Sequence, residues 1–507
     1  MEPSGMASKG SFRERVWEPL KEIQRTAVAR LILLLTLYVL SAFSLLAAFT
    51  PSLLTNYFAA TQSNGVTTEC TGDARKDFPT ICKHATNAVL AWKSGTAIAT
   101  NFILGVFLFP SLGRWSDLWG RKPFIVLGFM GGILQPLSVI LYLRFGVPLW
   151  WYFIAGIFLQ SVNPFLTSFA YVADVISPSG RTVAFATLGI VFCVGFTIGP
   201  ILTISGAITT ADTAAWASLG CAVASVLGSV LILPESLSAE TKTAAWVAVE
   251  DGDDGKKRGC VSWLKTSFRM FWGSLRILFR TTFFTKLTIG ILALYLNFEE
   301  VFEMQVQYFQ EVAGFTEQDT ASLFAVSGMA GWFTITVVLW LLLTVFRMSE
   351  KQVLLFGMIV FALQQLLYAF VRSKAVILVV AAAGTTANLV QPAISSLKSN
   401  NVAPEEQGAL QGAILAAQSV AKGFGPLLFY LFFVLFRSND CYLPGAPFLV
   451  GFVLLVGAIG VIFTLDVPKS SWGAGKASIE GEKHDAEAPL LVSYPLTRCD
   501  SDNSVYF

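Results

Sequence analysis

Asn163-Pro164-Phe165-Leu166-Thr167-Ser168 is restated 228 residues later as Gln391-Pro392-Ala393-Ile394-Ser395-Ser396. Each copy lies inside a long apolar run and sets a side-chain amide before a helix-breaking proline, with small hydroxyls after it. The match continues in both directions with its order kept. Gly128 and Leu134-Gln135 correspond to Gly357 and Leu363-Gln364 at an offset of 229, and Gly199-Pro200 corresponds to Gly425-Pro426 at 226. Parallel repeats of apolar helices, with a substrate site near the bilayer midplane, are the architecture of many secondary transporters. Movement of a small-molecule substrate across a membrane is the function this pattern implies.

Composition agrees. Hydrophobic residues make up 54% of the chain and charged residues only 13%, too apolar for an ordinary soluble domain. Runs able to cross a hydrocarbon core of about 30 Å, roughly 20 residues each, fall at 30–58, 87–111, 123–144, 149–172, 182–206 and 214–234. A second set falls at 282–310, 320–346, 351–371, 374–397, 408–436 and 446–466. The expected fold is therefore an all-α integral membrane protein of twelve transmembrane helices, in two pseudo-symmetric six-helix halves at 30–234 and 282–466. Residues 1–29 precede them, 235–281 link them and 467–507 form a polar tail. A net charge of +2 argues against a nucleic-acid partner. The lipid bilayer is the expected surrounding, and a monomer the expected state.

An even number of spans places both termini on one side, and the cations indicate which. Lys9, Arg13, Arg15, Lys21 and Arg25 precede the first span and Arg30 opens it, Arg114, Arg121 and Lys122 join the second to the third, and the central linker is rich in Lys and Arg. The alternate loops are sparse in them, so both termini are expected to be cytoplasmic; plasma membrane and endomembrane remain equally open. Within the linker, Leu264, Phe268, Phe271, Leu275 and Leu278 share one side of a helical wheel, with Lys265, Arg269, Arg276 and Arg280 on its flank. That pattern fits an amphipathic helix on an anionic leaflet or one packed beneath the bundle. Cys70 and Cys82 share the long loop after the first span and are able to pair in an oxidising compartment.

The connection between the second and third spans reads Leu112-Gly113-Arg114-Trp115-Ser116-Asp117-Leu118-Trp119-Gly120-Arg121-Lys122-Pro123. Its glycines permit a tight turn, and its charges stand at helix ends where dipoles give them partners. It resembles the G-x-x-x-D-x-x-G-R-K loop of the major facilitator superfamily. Gly195 to Pro200 resembles part of the G-x-x-x-G-P motif of drug:proton antiporters. With Ala170 to Asp174, Pro234-Glu235-Ser236 and Pro404 to Gly408, it makes the chain look like the tetracycline-efflux-like, hippocampus abundant transcript-like branch. The resemblance implies a cytoplasmic latch of Gly113, Asp117, Gly120, Arg121 and Lys122, with Asp174 and Arg181 as partners. It also implies helix packing at Gly195, Gly199, Pro200, Gly425 and Pro426. The chain departs from the family in two respects: no arginine precedes Gln160 by three residues, and the first span carries no acid.

Ionisable groups inside spans cost roughly 2.5–3.5 kcal/mol each on insertion scales, so each asks for a partner or a task. Glu299, Glu300 and Glu303 lie in the seventh span and Lys422 in the eleventh. Proton coupling through Glu300 first and Glu299 second is expected, with Lys422 paired to one of them. Gln160 and Asn163, and their repeats Asn388 and Gln391, place two amides three residues apart, on one face of a continuous helix. They are the expected substrate-binding groups, with hydrogen bonding between helices as the structural alternative. Gln135 and Gln364 read as packing residues.

No cofactor or metal is implied, since the two histidines, His84 and His484, lie outside the spans, and Gly473-Ala474-Gly475-Lys476 lacks the rest of a phosphate loop. An enzyme is not expected. The reading is a secondary active transporter of a small organic solute, with proton coupling as the expected drive; the alternatives are a facilitative, sugar-like uniporter and a membrane sensor that keeps the fold without transport.

Overall fold

Apolar runs can satisfy their backbone groups in lipid only by coiling, and helices occupy every stretch where the sequence placed a span. In the computed structural model they are α1 (Val28–Val39), α2 (Thr50–Gln62), α3 (Thr80–Ala97), α4 (Arg121–Phe145), α5 (Trp151–Ser161), α6 (Pro164–Val175) and α7 (Arg181–Ile204). They continue with α8 (Ala211–Ile232), α9 (Thr282–Ala313), α10 (Glu317–Phe333), α11 (Glu350–Phe370), α12 (Lys374–Gly384), α13 (Gln407–Arg437) and α14 (Ala446–Phe463). The structure describes residues 20–63, 70, 80–105, 108, 112, 115–116, 118–162, 164–177, 181–237, 242–243, 278–390, 393–394, 397, 407–437 and 442–466. Side chains at 166, 181–183, 186, 300, 302–303, 344, 407–413 and 415–416 are outside that description. The amphipathic stretch read from Leu264 to Arg280 lies outside it up to residue 277.

Among the described residues seven helices are long and apolar enough to cross a membrane, and Val28–Ser44, Trp151–Ser161 and Lys374–Leu389 are shorter apolar helices. α3 and α9 are in neither group. α3 carries Lys83 and Lys93, and α9 is 32 residues long with Glu299, Glu300, Glu303 and Glu311 along it.

Two compact units emerge. One comprises Met1–Tyr57, Leu112–Lys242 and Thr316–Trp332; the other comprises Phe58–Ser111, Thr243–Phe315 and Phe333–Phe507. The boundaries depart from the halves of the sequence because two helices pack away from their sequence neighbours. Within the first unit, α10 meets α7 where Phe324 packs edge-on to Phe196 at 5.3 Å and Gly328 lies against Thr197. Within the second, α3 and its π-helical continuation Ile98–Leu104 meet α13. There the Ser94 hydroxyl donates to the Pro426 carbonyl at 3.0 Å, Phe102 packs on Phe424 at 5.1 Å, and a methyl on Gly423 would lie 3.0 Å from the Phe102 Cβ.

The repeat seen in the sequence recurs as contacts inside each unit. Gly128 lies against the Val162 carbonyl and Pro164, and Gly357 against the Thr386 carbonyl and Val390. Gln135 fills the space over Gly156, and Gln364 the space over Gly384, so both glutamines are packing residues as expected. Gly199 lies against the backbone of Ser44, and Gly425 against the backbone of Leu296. Gly195 allows equally close approach: a methyl there would sit 2.9 Å from the Val39 Cβ. The bend at Pro200 is chemically completed. Proline cannot donate to the Phe196 carbonyl four residues back, and the Ser44 hydroxyl donates to that carbonyl instead at 3.0 Å while accepting the Gly199 N–H at 2.9 Å.

Near both copies of the opening motif regular α-helix is interrupted; Asn163, Gln391 and Pro392 themselves lie outside the described residues. α5 ends at Ser161, Val162 has φ −113° and ψ 54°, and α6 begins at Pro164. In the second copy α12 ends at Gly384 and continues as a 3-10 turn, Thr385–Leu389, before Pro392. A proline disfavours helical geometry in the residue before it and leaves the carbonyl four residues back without its helical donor. Those carbonyls belong to Gln160 and Asn388.

Candidate functional site

α9 and α13 pack along much of their lengths, and two ion pairs join them. The first is Lys422 to Glu299, with Nζ 2.7 Å from Oε1; the lysine side chain is 34% exposed and the glutamate 16%. The ammonium also lies over the Tyr295 ring, 5.6 Å from its centre, an attraction of cation to π-face that adds to the charge pair. One turn earlier on α13, the buried Gln418 has a side-chain NH2 without a hydrogen-bond partner among the described residues. Gly425, three residues beyond Lys422, lets α13 touch the Leu296 backbone, and this close approach brings the lysine to the acid. Lys422 was expected to pair with Glu299 or Glu300, and it pairs with Glu299. The side chains of Glu300 and Glu303 lie outside the described residues.

The second pair is Arg437 to Glu311, 2.7 Å between Nη2 and Oε2, with 5% and 0% exposure. The approach is off the line of a hydrogen bond, so its attraction is chiefly charge on charge. Arg437 Nη1 donates to the Asn87 side-chain oxygen at 2.7 Å and to the Lys83 carbonyl at 3.2 Å, and its guanidinium packs on the Phe433 ring. The Tyr442 hydroxyl donates to Glu311 Oε1 at 3.4 Å. Burial, then the neighbouring Glu311 carboxylate, pushes the Tyr442 phenol above its usual range. Neither Glu311 nor Arg437 was among the site candidates read from the sequence. The signal for this pair was a further acid, Glu311, late in α9 and a second base, Arg437, at the end of α13.

A third constellation gathers at the start of α4. Gly120, at φ 105°, turns the chain into the helix, and Glu235 and Lys242 occupy the space a side chain there would need. Arg121 Nε contacts Asp174 Oδ2 at 3.1 Å, Arg121 Nη1 donates to the Ser116 hydroxyl at 2.6 Å, and the Arg121 backbone N–H donates to Glu235 Oε1 at 2.8 Å. Ser236 donates to the same Asp174 oxygen at 2.9 Å, and Lys242 Nζ lies 3.4 Å from Glu235 Oε2. Lys122 donates to the Val230 carbonyl at 2.8 Å. Arg121 and Asp174, expected together, are together. Gly113, Asp117 and the Arg181 side chain lie outside the described residues. Glu235 is the member the sequence reading missed: it was visible only as part of Pro234-Glu235-Ser236, with no indication that it reaches the loop.

The amides are less gathered. Gln160 and Asn388 are partly exposed, each beside its helix break; Asn163 and Gln391 lie outside the described residues. Cys70 and Cys82 form a disulfide. Among the described residues no group of three or more His, Cys, Asp or Glu side chains is placed to hold a metal.

Apolar helices interrupted at prolines and carrying charges paired across neighbouring helices define a multi-pass integral membrane protein. Comparison with known proteins gives the family. The sequence model of the Major Facilitator Superfamily matches residues 31–426, and the chain belongs to that family. It is 26% identical over 423 residues to human hippocampus abundant transcript-like protein 1, covering 78% of this chain and 76% of that one. It is 25% identical over 368 residues to the class H tetracycline resistance protein of Pasteurella multocida, covering 72% and 84%. Among solved structures it is similar in fold to a D-xylose-proton symporter, at TM-score 0.60 and 15% identity, covering 88% and 99%. It is similar likewise to the human organic anion transporter MFSD10, at 0.51 and 19%, covering 86% and 99%.

Proposed function

We propose that the protein is a secondary active transporter that moves a small organic solute by alternating access, coupled to protons through the acids of α9. Family membership supports transport itself. The observation that carries the coupling is the Glu299–Lys422 pair, a carboxylate and an ammonium held together within otherwise apolar helices and still partly accessible. Such a pair stays intact while both partners are charged and is released when the acid takes a proton. Glu300, its neighbour on α9, is the second proton-carrying group of this reading, and Gln160, Asn163, Asn388 and Gln391 supply polar contacts to the solute.

In the full reading twelve spans form two six-helix halves, with both termini cytoplasmic. Gly113, Asp117, Gly120, Arg121, Lys122, Asp174 and Arg181, together with Glu235, are the cytoplasmic latch. The Arg121–Asp174 contact and the Glu235 contact to the Arg121 N–H support that role. Purified protein in vesicles, assayed for uptake and efflux of a solute panel with and without a pH gradient, tests the proposal. Gradient-driven movement is expected for the natural sequence and its loss for Glu299→Gln and Glu300→Gln. Transport by both variants that stays fully gradient-driven removes the proton step and leaves facilitated diffusion.

A further inference from the structure

We infer that Lys422 and Gln418 form a binding site for the carboxylate of a monoanionic organic solute, and that Glu299 occupies the ammonium until that solute arrives. The inference rests on the transport reading above and adds to it the substrate class and the direction of coupling. The site is built of donors. The Lys422 ammonium carries three N–H bonds and meets Glu299 as its carboxylate partner. Gln418 stands four residues earlier, on the same side of α13, with its NH2 buried and without an acceptor among the described residues. A buried donor left unmade costs about 1–3 kcal/mol, and an acceptor placed beside Lys422 relieves it. Glu299 gives the ammonium a carboxylate but leaves the Gln418 amide unanswered. A solute carboxylate has two oxygens, one for each donor.

Among the described residues, Lys422 from α13 and Tyr295 from its own helix face Glu299. α14 brings none, since Ala446–Phe463 carries no ionisable side chain. α3 carries Lys83, His84 and Lys93, with Lys83 placed at the Glu311 end beside Tyr442. When a solute anion takes Lys422, Glu299 loses its ammonium partner between two largely apolar helices and takes a proton from the solvent to which the pair stays partly open. No covalent bond changes. Anion and proton are then bound together and cross together without net charge. This is symport, the opposite sense to the antiport implied by the likeness of Gly195 to Pro200 to an antiporter motif.

The test is binding, read apart from transport. Purified full-length protein is titrated with acetate, lactate, benzoate and phenylacetate, each beside its neutral primary amide and beside chloride at equal ionic strength, and thermal stabilisation is measured. At least one carboxylate is expected to stabilise the protein while its amide and chloride do not, with one proton taken up per anion bound. Glu299→Gln removes the resident competitor, so it is expected to tighten binding about tenfold and to abolish the proton uptake. Lys422→Gln loses the response and Lys422→Arg keeps it; the double variant Glu299→Gln/Lys422→Gln, which is neutral at both positions, controls for folding. Equal stabilisation by amides or chloride, no response to any carboxylate, or an unchanged response in Lys422→Gln overturns the site. Gradient-driven transport of a neutral or cationic solute that is untouched by Lys422→Gln overturns it while leaving the transport reading in place. Carboxylate binding without any transport does the reverse.

Discussion

The two ion pairs between α9 and α13 use the same chemistry in opposite surroundings. Glu311 and Arg437 are sealed from solvent, and Arg437 is held further by Asn87, the Lys83 carbonyl and the Phe433 ring. Glu299 and Lys422 keep access to solvent and have few other contacts. A sealed pair cannot lose one member without leaving a buried charge, so it fastens helices together. An accessible pair can be opened by water, a proton or a competing ion at modest cost, so it is suited to take part in a cycle. Position along the helix decides which role one type of contact plays.

The largest expected effect breaks the sealed pair. Glu311→Ala or Arg437→Ala leaves its partner buried and unpaired and should cost about 3–5 kcal/mol, seen in denaturant unfolding of the purified protein. Glu311→Met/Arg437→Met removes both charges and should recover most of that loss. A double variant as unstable as the singles would show that the pair is not what Arg437 contributes.

Next is the seam that brings the pairs together. Gly425→Ala drives a methyl into the Leu296 backbone, and Gly199→Ala drives one into Ser44. Overpacking of this kind costs about 1–3 kcal/mol. Gly425→Ala should also weaken proton-coupled transport, because it spreads the helices that hold Glu299 to Lys422, whereas Gly199→Ala acts in the other unit. Equal effects of the two on coupling would detach Gly425 from the Glu299 site.

At the accessible pair the ordering of stability and function reverses. Glu299→Gln should change folding stability by less than about 1 kcal/mol, in the range of partly exposed pairs, while removing the dependence of transport on the pH gradient. A stability loss as large as that of Glu311→Ala would erase the distinction drawn between the pairs.

The smallest effect concerns pH. The Tyr442 phenol is raised in the folded protein, so the folded state holds its proton more tightly than the unfolded chain does. Its contribution to stability is complete below the unfolded value of about 10 and is lost as pH rises through the folded value. An ultraviolet titration of Tyr442→Phe should lose one tyrosine's worth of the absorbance change that comes in above the usual range; the same curve in both would refute it.

Much of this was legible beforehand because it is local. Apolar runs coil wherever they occur, so helices lie under every predicted span, and glycines at matching positions in the repeat do the same packing in each unit. The Glu299–Lys422 and Arg121–Asp174 contacts were also within reach, since a charge in an apolar run demands a partner and few were available. Three features were not. The breaks at Val162 and after Gly384 put a limit on the shared-face reading of the amides, because a proline acts on the helix before it. Glu235 reaches Arg121 across 114 residues, and Arg437 reaches Glu311 across 126 residues. No periodicity encodes either distance.

The sequence by itself determined the membrane class, the repeat, the helical segments and the family, because these follow from composition, spacing and local backbone chemistry. Tertiary structure alone decided which acid meets which base and which of the two pairs is sealed. Those outcomes depend on how closely α9 and α13 approach, and that approach is set by contacts such as Gly425 on Leu296, between residues far apart in the chain.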